Sequence, residues 1–500
     1  MKQAQSAIKH LVGLYHKIPG WIYLIPILFL AVHARLLYLT KADIWHDEGY
    51  TAALIKQPIG DILSITITDV HPPLYYMIMH VWHLLFGGSV ESLRGFSVVC
   101  GVATVALLFF LLQKLFSKKI AVLGAIFAAI GPFLVRYSNE ARMYALAALI
   151  ALAATYVFIQ AIDHKKQKRW WLLYGALVAA GIYTQYFLAL IIPAHFIYIW
   201  LTFGGNKKAF LKVIRNKNLW LSAGFGMLLF LPWLPIMISQ TTKVGGGFWI
   251  PEVDRFSIPN TLSMFISYDY RITKYFGLML APMMIAVSYC LAKHYPKKRA
   301  AIWLLTSWLL APMMIVYLLS LRQPVYLDRY FTYSAPAFYA LLAVYLCLIG
   351  AKKWWKTAIA FLLAIYIGRY MWNVGIHEVA EAAWNNTNTA MSHINGGIKP
   401  GDTILSTEIY TYFNTSYYNK TGQEIVLLAP EGDDGWGEWG LVKKTKTPQI
   451  PTMDSVPSRR IWLISRTKNY DQFMAIVPKN WKLQQEFHDG DLIIGLYERG

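Results

Sequence analysis

Residues 43–50 run Asp-Ile-Trp-His-Asp-Glu-Gly-Tyr, and they come directly after the apolar run 21–39. A run of about 20 apolar residues is the length that crosses the hydrocarbon core of a membrane as a helix. Carboxylates and a histidine therefore lie at the mouth of a membrane span. Charge that is removed from water there is costly unless it is paired or used for chemistry. This stretch is thus the first place to look for a functional site.

Composition places the chain among helical membrane proteins. It has 500 residues, of which 56% are hydrophobic, and its mean hydropathy is +0.39. Repeated, continuous apolar runs indicate a polytopic α-helical protein and exclude a β-barrel, whose strands alternate. The net charge of +20 sits in short clusters between these runs, so it indicates topology and not nucleic-acid binding. The three cysteines lie inside apolar runs, where we expect buried thiols and no disulfides.

The basic clusters predict the orientation of the chain, because lysine and arginine are enriched in cytoplasmic loops. If these clusters and the basic N-terminus lie in the cytoplasm, eleven spans follow, with the N-terminus inside and residues 374–500 outside. The predicted spans are 21–39, 92–116, 120–137, 141–162, 170–186, 187–204, 218–240, 275–292, 300–321, 332–350 and 356–373. We expect the protein in the plasma membrane.

The apolar segment 74–86 decides whether this topology is consistent. It has thirteen residues, and a helix of that length reaches only about 20 Å, short of the roughly 30 Å core. We therefore predict an interfacial helix over 74–86, within one long extracytoplasmic loop at 40–91. Its Trp82, His80 and His83 suit an interfacial depth.

The chain changes character near residue 374, where the long apolar runs stop. Short β-type runs at 403–406, 424–428, 460–464 and 492–497 alternate with helical stretches at 408–418 and 471–477, with a glycine-rich loop at 432–440. Such alternation is typical of a small α/β domain. The predicted organisation is a transmembrane catalytic domain over 1–373 and an extracytoplasmic α/β domain over 374–500.

Asp47 and Glu48 are adjacent acids at the start of a predicted helix. One explanation is simply helix capping, since acids favour the first turn. The other is catalysis: one carboxylate acts as a general base on an acceptor hydroxyl, while the other orients it or holds a cation. Two neighbouring carboxylates need positive partners to remain charged near lipid.

Four arginines lie on the same predicted face and could supply that charge. Arg35 could equally snorkel to the interface. Arg142 and Arg329, with Arg94 as a lesser candidate, are placed to clamp a phosphate through the planar guanidinium fork. Arg142 and Arg329 can share one phosphate only if their guanidinium groups lie within about 10 Å of each other.

Further polar and aromatic residues complete the candidate pocket. We expect substrate contacts from the residues His46, Asp69, His71, Tyr75, Glu140, Tyr144 and Tyr330. His71 and Glu48 are also candidate ligands of a divalent metal ion, although no fixed helical spacing supports a metal site. The aromatics could instead be ordinary boundary residues, and Pro72-Pro73 could simply rigidify the entry to the helix at 74–86.

An ordered set of motifs resembles the GT-C fold glycosyltransferases of family 39, which includes protein O-mannosyltransferases and is related to the lipid A aminoarabinose transferases. The motifs are Asp47-Glu48, Asp69-Val70-His71-Pro72-Pro73-Leu74, Tyr137-Ser138-Asn139-Glu140-Ala141-Arg142-Met143-Tyr144 and Asp328-Arg329-Tyr330. Protein mannosyltransferases carry Gly-Lys at the position where this sequence has Tyr75-Tyr76. In having Tyr75-Tyr76 there, the sequence is similar to the bacterial and archaeal branch of the family.

The resemblance implies a specific chemistry. Asp47 would be the catalytic base, with Glu48 in support. The donor would be a polyprenyl-phosphate sugar whose phosphate is gripped by arginines at the outer face. The acceptor would be an extracytoplasmic glycan, glycolipid or protein, and a single displacement would invert the anomeric centre.

Two other classes of protein fit a polytopic chain. A transporter or lipid flippase would need polar residues at the bilayer midplane and paired broken helices, whereas the polar residues here collect at one face. A scaffold whose C-terminal domain does the binding would not need the ionisable cluster at the membrane. A membrane-bound glycosyltransferase is the interpretation that uses that cluster.

The topology can be tested by labelling. With 74–86 at the outer interface, we expect a tag in the 87–91 loop and a tag at the C-terminus to be accessible from outside intact cells, because the loops at 118–119 and 164–169 are basic. Labelling of the 87–91 tag only after permeabilisation would contradict the eleven-span topology.

Overall fold

The computed structural model describes residues 19–203, 205–244, 249–350, 354–381, 386–429, 437–469, 471, 474 and 477–500. A helical part is followed by a sheet with flanking helices, which confirms the predicted class: a polytopic α-helical membrane protein with a C-terminal α/β region. The basic N-terminus used for the orientation lies outside the described residues, as does most of the helix predicted at 471–477.

The helical part consists of nineteen described α-helices, several of them joined by 3₁₀ turns. The α-helices are Gly20–Leu36, His46–Leu54, Ile59–Thr68, Leu74–Phe86, Val90–Leu115, Lys118–Ile130, Pro132–Ser138, Tyr144–Asp163, Lys168–Thr184, Ile191–Phe203, Lys207–Ile214, Lys217–Phe230, Leu234–Val244, Ser257–Ser267, Arg271–His294, Arg299–Ser320, Ala335–Gly350, Trp354–Tyr370 and Ile376–Glu381.

Helices lie at all eleven predicted span positions. Among the described residues, eight helical stretches are long and apolar enough to cross a membrane, and a bent pair makes a possible ninth. The two remaining predicted positions hold the 17-residue helices Gly20–Leu36 and Lys168–Thr184. The last stretch passes through a π-helical turn at Met371–Gly375 and reaches Glu381, so the boundary predicted after residue 373 falls inside a continuous helix.

The span predicted at 120–137 is not one straight helix. It breaks between Gly131 and Pro132 and bends by 54°, because proline has no N–H group and its ring clashes with the preceding turn. The guanidinium group of Arg35 donates to the Ala129 carbonyl at this break (3.0 Å) and to the Ser138 hydroxyl (3.1 Å). Arg35 is fully buried and therefore does not snorkel.

The loop at 40–91 contains three helices, α1 (His46–Leu54), α2 (Ile59–Thr68) and α3 (Leu74–Phe86). The bounds of α3 are those predicted; its depth in the membrane stays a prediction. α3 begins after the two prolines and ends at Gly87, whose φ of 77° suits a residue without Cβ. Asp47 and Glu48 lie in the first turn of α1, where the helix dipole favours acids.

The C-terminal region is a six-stranded sheet with strand order β3-β2-β1-β4-β6-β5. Strands β1 to β4 pair in parallel, whereas β6 runs antiparallel to β4 and β5. The elements in chain order are α4 (Thr387–Gly397), β1 (Thr403–Ser406), α5 (Ile409–Tyr418), β2 (Ile425–Leu428), α6 (Trp439–Lys444), β3 (Gln449–Ile450), β4 (Arg460–Arg466), β5 (Trp481–Asp489) and β6 (Leu492–Arg499).

Four strands and α5 lie where the sequence predicted them, but β3 and β5 were missed. β3 has only two residues, and β5 is a polar edge strand with a register shift, so neither shows a hydrophobic pattern. The loop predicted at 432–440 is only partly described, and Trp439 already begins α6.

The C-terminal region docks directly on the first loop. A Cβ atom at Gly49 would lie 2.6 Å from the carbonyl carbon of Phe413, so only glycine lets α1 approach α5 this closely. The Asp43 carboxylate accepts hydrogen bonds from the backbone N–H groups of Asn386 and Asn388, both at 2.9 Å. The start of α1, which carries the adjacent acids, is therefore covered by the C-terminal region.

Candidate active site

The Asp47 carboxylate lies between two arginines that come from distant parts of the chain. Arg142 Nε and Arg329 Nη1 lie 3.7 Å and 3.4 Å from the same oxygen, Oδ2. Two guanidinium groups that share one oxygen neighbour at these distances lie close enough to bind one phosphate. The structure thus brings together Asp47, which the sequence predicted as a base, and the two arginines that it predicted to bind a phosphate.

Electrostatics keep this carboxylate charged. Burial raises the pKa of Asp47, but the combined effect of Arg142, Arg329, His46 and His71 lowers it by more, so the net pKa lies below its ordinary value. Asp47 is therefore anionic at neutral pH and able to accept a proton. Its side chain is still 17% exposed, which leaves room for a reacting group to reach it.

Arg142 is held in place by residues of the first loop. Its Nη1 donates to the Tyr76 hydroxyl (3.1 Å) and its Nη2 donates to His71 Nε2 (3.3 Å). Because Nε2 of His71 accepts, Nδ1 carries the proton, and it faces Asp69 Oδ1 at 3.5 Å. Tyr50 donates to the other Asp69 oxygen (3.2 Å). Asp69 and His71 therefore orient the guanidinium group of Arg142.

Glu48 and Arg94 form a separate, fully buried pair. Arg94 Nε and Nη2 donate to the two Glu48 carboxylate oxygens at 2.9 Å and 2.6 Å. The other N–H groups of Arg94 donate to loop carbonyls, those of Leu39, Ala42 and Asp43. All five guanidinium donors are thus in use, which leaves none for a phosphate. The structure therefore contradicts the phosphate-binding role predicted for Arg94.

The same pair corrects the predicted roles of Glu48. Its Oε1 also accepts the backbone N–H of Ala141 at 2.7 Å, so the carboxylate joins the first loop to the helix Val90–Leu115 and to the turn that carries Arg142. Both oxygens are occupied by these bonds. Glu48 is consequently not available to bind a metal ion with His71, or to touch a substrate.

The remaining predicted pocket residues divide into two groups. Tyr75 is fully buried and packs on Tyr76, away from the cavity described below. Glu140 and Tyr144 are buried near Asp47, and Tyr330 lines the cavity. Burial raises the pKa of Glu140 and so favours its protonated form.

Several buried polar atoms around Asp47 have no hydrogen-bond partner within the chain. Those of the described residues include Arg142 Nε, Tyr144 Oη, Arg329 Nε, Gln185 Oε1 and Glu140 Oε2. Buried polar groups are nearly always satisfied in folded proteins, and exceptions mark places where a ligand or water completes the bonding. The concentration of unpaired donors and acceptors here indicates a site built for a polar ligand.

A cavity of about 690 Å³ adjoins this polar cluster. We call the part lined by His71 and Tyr330, which neighbour Arg142 and Arg329, its polar end. The other polar residues of the lining are Gln185, Tyr186, Gln240, Thr241, Arg322 and Gln323. Its wall is mainly apolar and includes Leu318 and Leu319, which are more than half exposed on the surface of a membrane-spanning stretch. The cavity therefore extends from side chains exposed on a membrane-spanning stretch to His71, which contacts Arg142 (3.3 Å). Gln185 also belongs to its lining, although the sequence did not identify it as a site residue.

His46, predicted to contact the substrate, faces the C-terminal region and is not among the residues that line the cavity described above. Its Nδ1 lies 2.9 Å from the Tyr410 carbonyl oxygen and its Nε2 lies 2.6 Å from Glu438 Oε1. Glu438 and Tyr410 were missed because they are more than 360 residues away in the sequence, and a lone glutamate in a glycine-rich stretch carries no local signal.

Among the residues that the structure describes, one group of three could offer ligands to a metal ion: His46, Asp47 and Glu438, with ligand atoms within 4.8 Å of one another. These atoms already have charged partners, since Glu438 contacts His46, and Asp47 contacts two arginines. A divalent cation here would face Arg142 and Arg329 at short range. The donor set therefore does not fit a metal ion, and we derive no step through one.

A substitution can test whether the Glu48–Arg94 pair has a structural role. Arg94→Lys should lower the thermal unfolding temperature and the yield of the protein, because lysine keeps the charge but has too few donors for Glu48 and the three loop carbonyls, and each buried group left unsatisfied costs about 1–3 kcal/mol. Lys114→Ala is the matched control on the same helix, since it breaks only partly exposed contacts, those with Asp163 and Gln160. If the Arg94→Lys protein unfolds like the wild type but uses the donor poorly, Arg94 binds the phosphate after all.

Comparison with known proteins finds sequence similarity in a segment that contains His71 and Arg142. Residues 70–236 match the model of the family described as dolichyl-phosphate-mannose-protein mannosyltransferase. The mannosyltransferase-like protein YkcB of Bacillus subtilis is 28% identical over 191 residues, which are 34% of this chain and 26% of that protein. The chain thus spans about a quarter of the length of this curated relative.

Solved structures match over a far greater length. ArnT from Cupriavidus metallidurans, in the apo state, has a TM-score of 0.61 at 11% identity and covers 95% of this chain and 98% of its own. The same protein bound to undecaprenyl phosphate has a TM-score of 0.59 at 12% identity, with the same coverage. The Archaeoglobus fulgidus oligosaccharyltransferase has a TM-score of 0.57 at 13% identity, covering 91% of this chain and 70% of its own. The chain is therefore an integral membrane protein of the GT-C fold, similar to the family 39 glycosyltransferases.

Proposed function

We propose that the protein is an inverting glycosyltransferase, which moves a sugar from a polyprenyl phosphate to a hydroxyl group of an extracytoplasmic acceptor. The observation that carries this proposal is the Asp47 carboxylate, flanked by Arg142 and Arg329 beside an apolar cavity. Such a transfer requires a base for the acceptor, positive charge for the leaving phosphate, and a place for the lipid.

The lipid chain of the donor enters the cavity through its membrane-facing wall, near Leu318 and Leu319. Its phosphate then lies at the polar end, within reach of Arg142 and Arg329. Two of the similar structures support a lipid phosphate as the ligand: ArnT bound to undecaprenyl phosphate, and the Archaeoglobus fulgidus oligosaccharyltransferase in complex with a dolichol-phosphate.

Chemistry then follows from the charges. Asp47 removes the proton of the acceptor hydroxyl as its oxygen attacks the anomeric carbon of the sugar. The bond between that carbon and the phosphate oxygen breaks, and its electron pair stays with the polyprenyl phosphate. Arg142 and Arg329 stabilise the charge that develops on the leaving group. Attack from the face opposite the phosphate inverts the anomeric centre.

Binding of the donor also changes the pKa of Asp47, the proposed base. In the free protein both arginines hold the pKa of Asp47 below its ordinary value. A bound phosphate competes for the same guanidinium groups and adds negative charge nearby, and both effects raise the pKa of Asp47. The carboxylate therefore becomes a stronger base when the donor is in place.

The proposal also states which membrane holds the protein and on which side of that membrane the site lies. The basic loops favour a cytoplasmic location for the face opposite the site. The arginine cluster then opens to the outside of the plasma membrane, and the C-terminal region lies above it as an extracytoplasmic domain. The accessibility of tags at 87–91 and at the C-terminus tests this arrangement.

Asp47→Asn tests the base. It keeps the size of the side chain but removes its basicity, so transfer should fall at least ~10²-fold, the usual contribution of a general base. The measurement is mass spectrometry of cell-envelope glycans and lipids from a deletion strain complemented with each variant. Asp61→Asn, in the same loop but paired with Lys444 at the surface, is the matched control. Wild-type product levels with Asp47→Asn would remove Asp47 from the mechanism.

Arg142→Ala and Arg329→Ala test the phosphate site. Each should weaken binding of undecaprenyl phosphate roughly 10- to 100-fold, because hydrogen bonds to charged groups contribute about 1.5–3 kcal/mol. Lysine should restore only part of the binding, since it lacks the planar fork. Native mass spectrometry with undecaprenyl phosphate gives the affinity, and Arg369→Ala, exposed on the last long helix, is the control. Full restoration by lysine would rule out a bidentate clamp.

A further inference from the structure

The C-terminal region reaches the residue next to the proposed base through two hydrogen-bond acceptors. His46 Nδ1 faces the Tyr410 carbonyl oxygen at 2.9 Å, and Nε2 faces Glu438 Oε1 at 2.6 Å. A neutral imidazole has one N–H group and can serve only one acceptor, whereas an imidazolium serves both. An imidazolium that faces the Glu438 carboxylate satisfies both of these contacts.

The ring is enclosed as well as bonded. Only 5% of His46 is exposed, and its ring stacks on Tyr410 at 4.5 Å with Phe413 at 5.9 Å. A buried cation without a partner is strongly unfavourable. The Glu438 carboxylate supplies the opposite charge, so removal of that charge leaves His46 unable to remain protonated.

Glu438 is brought to this position by its own backbone. The preceding residue, Gly437, donates its N–H to the Thr68 carbonyl at the end of α2 (2.7 Å) and has a φ of 63°, which favours glycine. In α6, Lys444 pairs with Asp61 of α2 at 2.9 Å. The segment 437–444 is thus attached to the first loop on both sides of Glu438.

We propose that Glu438 is a positioning residue for catalysis: it keeps His46 as a cation, and His46 in turn holds the start of α1, and with it Asp47, against the C-terminal region. This inference rests on the function proposed above and adds that the C-terminal region completes the active site. When His46 loses its second proton, either Tyr410 or Glu438 loses its hydrogen bond. The first turn of α1 is then released from one of its two anchors, and Asp47 with it.

The pH dependence has a defined sign. Burial lowers the pKa of His46, but Glu438, the Tyr410 carbonyl and Asp47 raise it by more, so the net pKa lies above the ordinary value. The stabilisation is complete below the unfolded-state pKa of about 6.5 and is lost as the pH rises through the raised folded-state value. The basic limb of activity should therefore report His46.

The charged and titratable groups around His46 are few enough to control. Glu438 and Asp47 face it directly, and Tyr410 lies against its ring. Arg142, Arg329 and His71 lie across Asp47, and Arg466 covers the Tyr410 ring at 4.0 Å. Within the C-terminal region, Glu438 contacts an imidazole nitrogen through its ionisable side chain, whereas Tyr410 does so through its backbone carbonyl, which a substitution does not remove. Glu438 is therefore the residue to change.

The test uses Glu438→Gln in the full-length protein in nanodiscs. The amide oxygen can still accept from His46 but carries no charge, so the basic limb of the transfer rate should move about one pH unit lower. The probe is radiolabelled undecaprenyl-phosphate mannose with cell-envelope extract as acceptor. Thermal unfolding across the same pH range gives a readout that needs no activity, and its decline should begin at the same lower pH.

Three variants make the outcome specific. Glu438→Asp keeps the charge and should restore most of the wild-type limb. In a His46→Gln background, which cannot titrate, Glu438→Gln should cause no further shift. Lys444→Ala breaks the other contact of the same segment without touching His46 and should leave the limb unchanged.

A failure of this inference can be distinguished from a failure of the proposed function. If the pH profiles of Glu438→Gln coincide with those of the wild type in both transfer and unfolding, the inference is overturned, whatever the absolute rate. An equal shift in Lys444→Ala would also overturn it, because general loosening of the domain would then be the cause. Absence of transfer by the wild-type protein would instead count against the proposed function, while the unfolding profiles would still decide the role of Glu438.

Discussion

The buried pair of Glu48 and Arg94 is the interaction on which the arrangement of the site depends. Isolated, either charge would be very unfavourable in a low-dielectric interior. Here the carboxylate also accepts the N–H of Ala141, and the guanidinium group satisfies three loop carbonyls. One pair thereby joins the first loop, the helix Val90–Leu115 and the turn that precedes the span Tyr144–Asp163. Glu48 is the anchor, and its neighbour Asp47 is left free for chemistry.

That turn depends on a second constraint, the break at Gly131-Pro132. A straight helix would carry the chain on in another direction, whereas the 54° bend leads through Pro132–Ser138 into the turn that holds Arg142. Arg35 satisfies a carbonyl that the break exposes and the Ser138 hydroxyl as well. A buried arginine within the helical part thus supports the geometry of another arginine that meets Asp47.

The C-terminal region is then a part of the site and not a separate appendage. Its helix α5 touches α1 at Gly49, and its Glu438 contacts the residue before Asp47. Asp47 is therefore positioned from both sides: by the Glu48–Arg94 anchor towards the membrane and by His46 towards the C-terminal region. Arg142 and Arg329 flank the Asp47 carboxylate, and Arg142 contacts the cavity residue His71.

Sequence alone determined what depends on composition, local pattern and the order of motifs. Apolar runs placed helices at all eleven span positions and α3 at its observed bounds, and the ordered motifs selected Asp47, Arg142 and Arg329 as residues that belong together. These features are local, or they repeat within a family, so they can be recognised without coordinates.

Only the tertiary structure decided how the charges pair. The sequence could not show that both carboxylate oxygens of Glu48 bind Arg94, or that the Asp47 side chain stays partly exposed. Nor could it show that Glu438 contacts His46. A side chain has the same identity whether its donors are used or free, and which of the two holds depends on contacts between residues that are tens to hundreds of positions apart. The division between structural and reactive charges is therefore a property of the folded chain, because the low-dielectric interior makes every buried charge find a partner and only the fold determines which one.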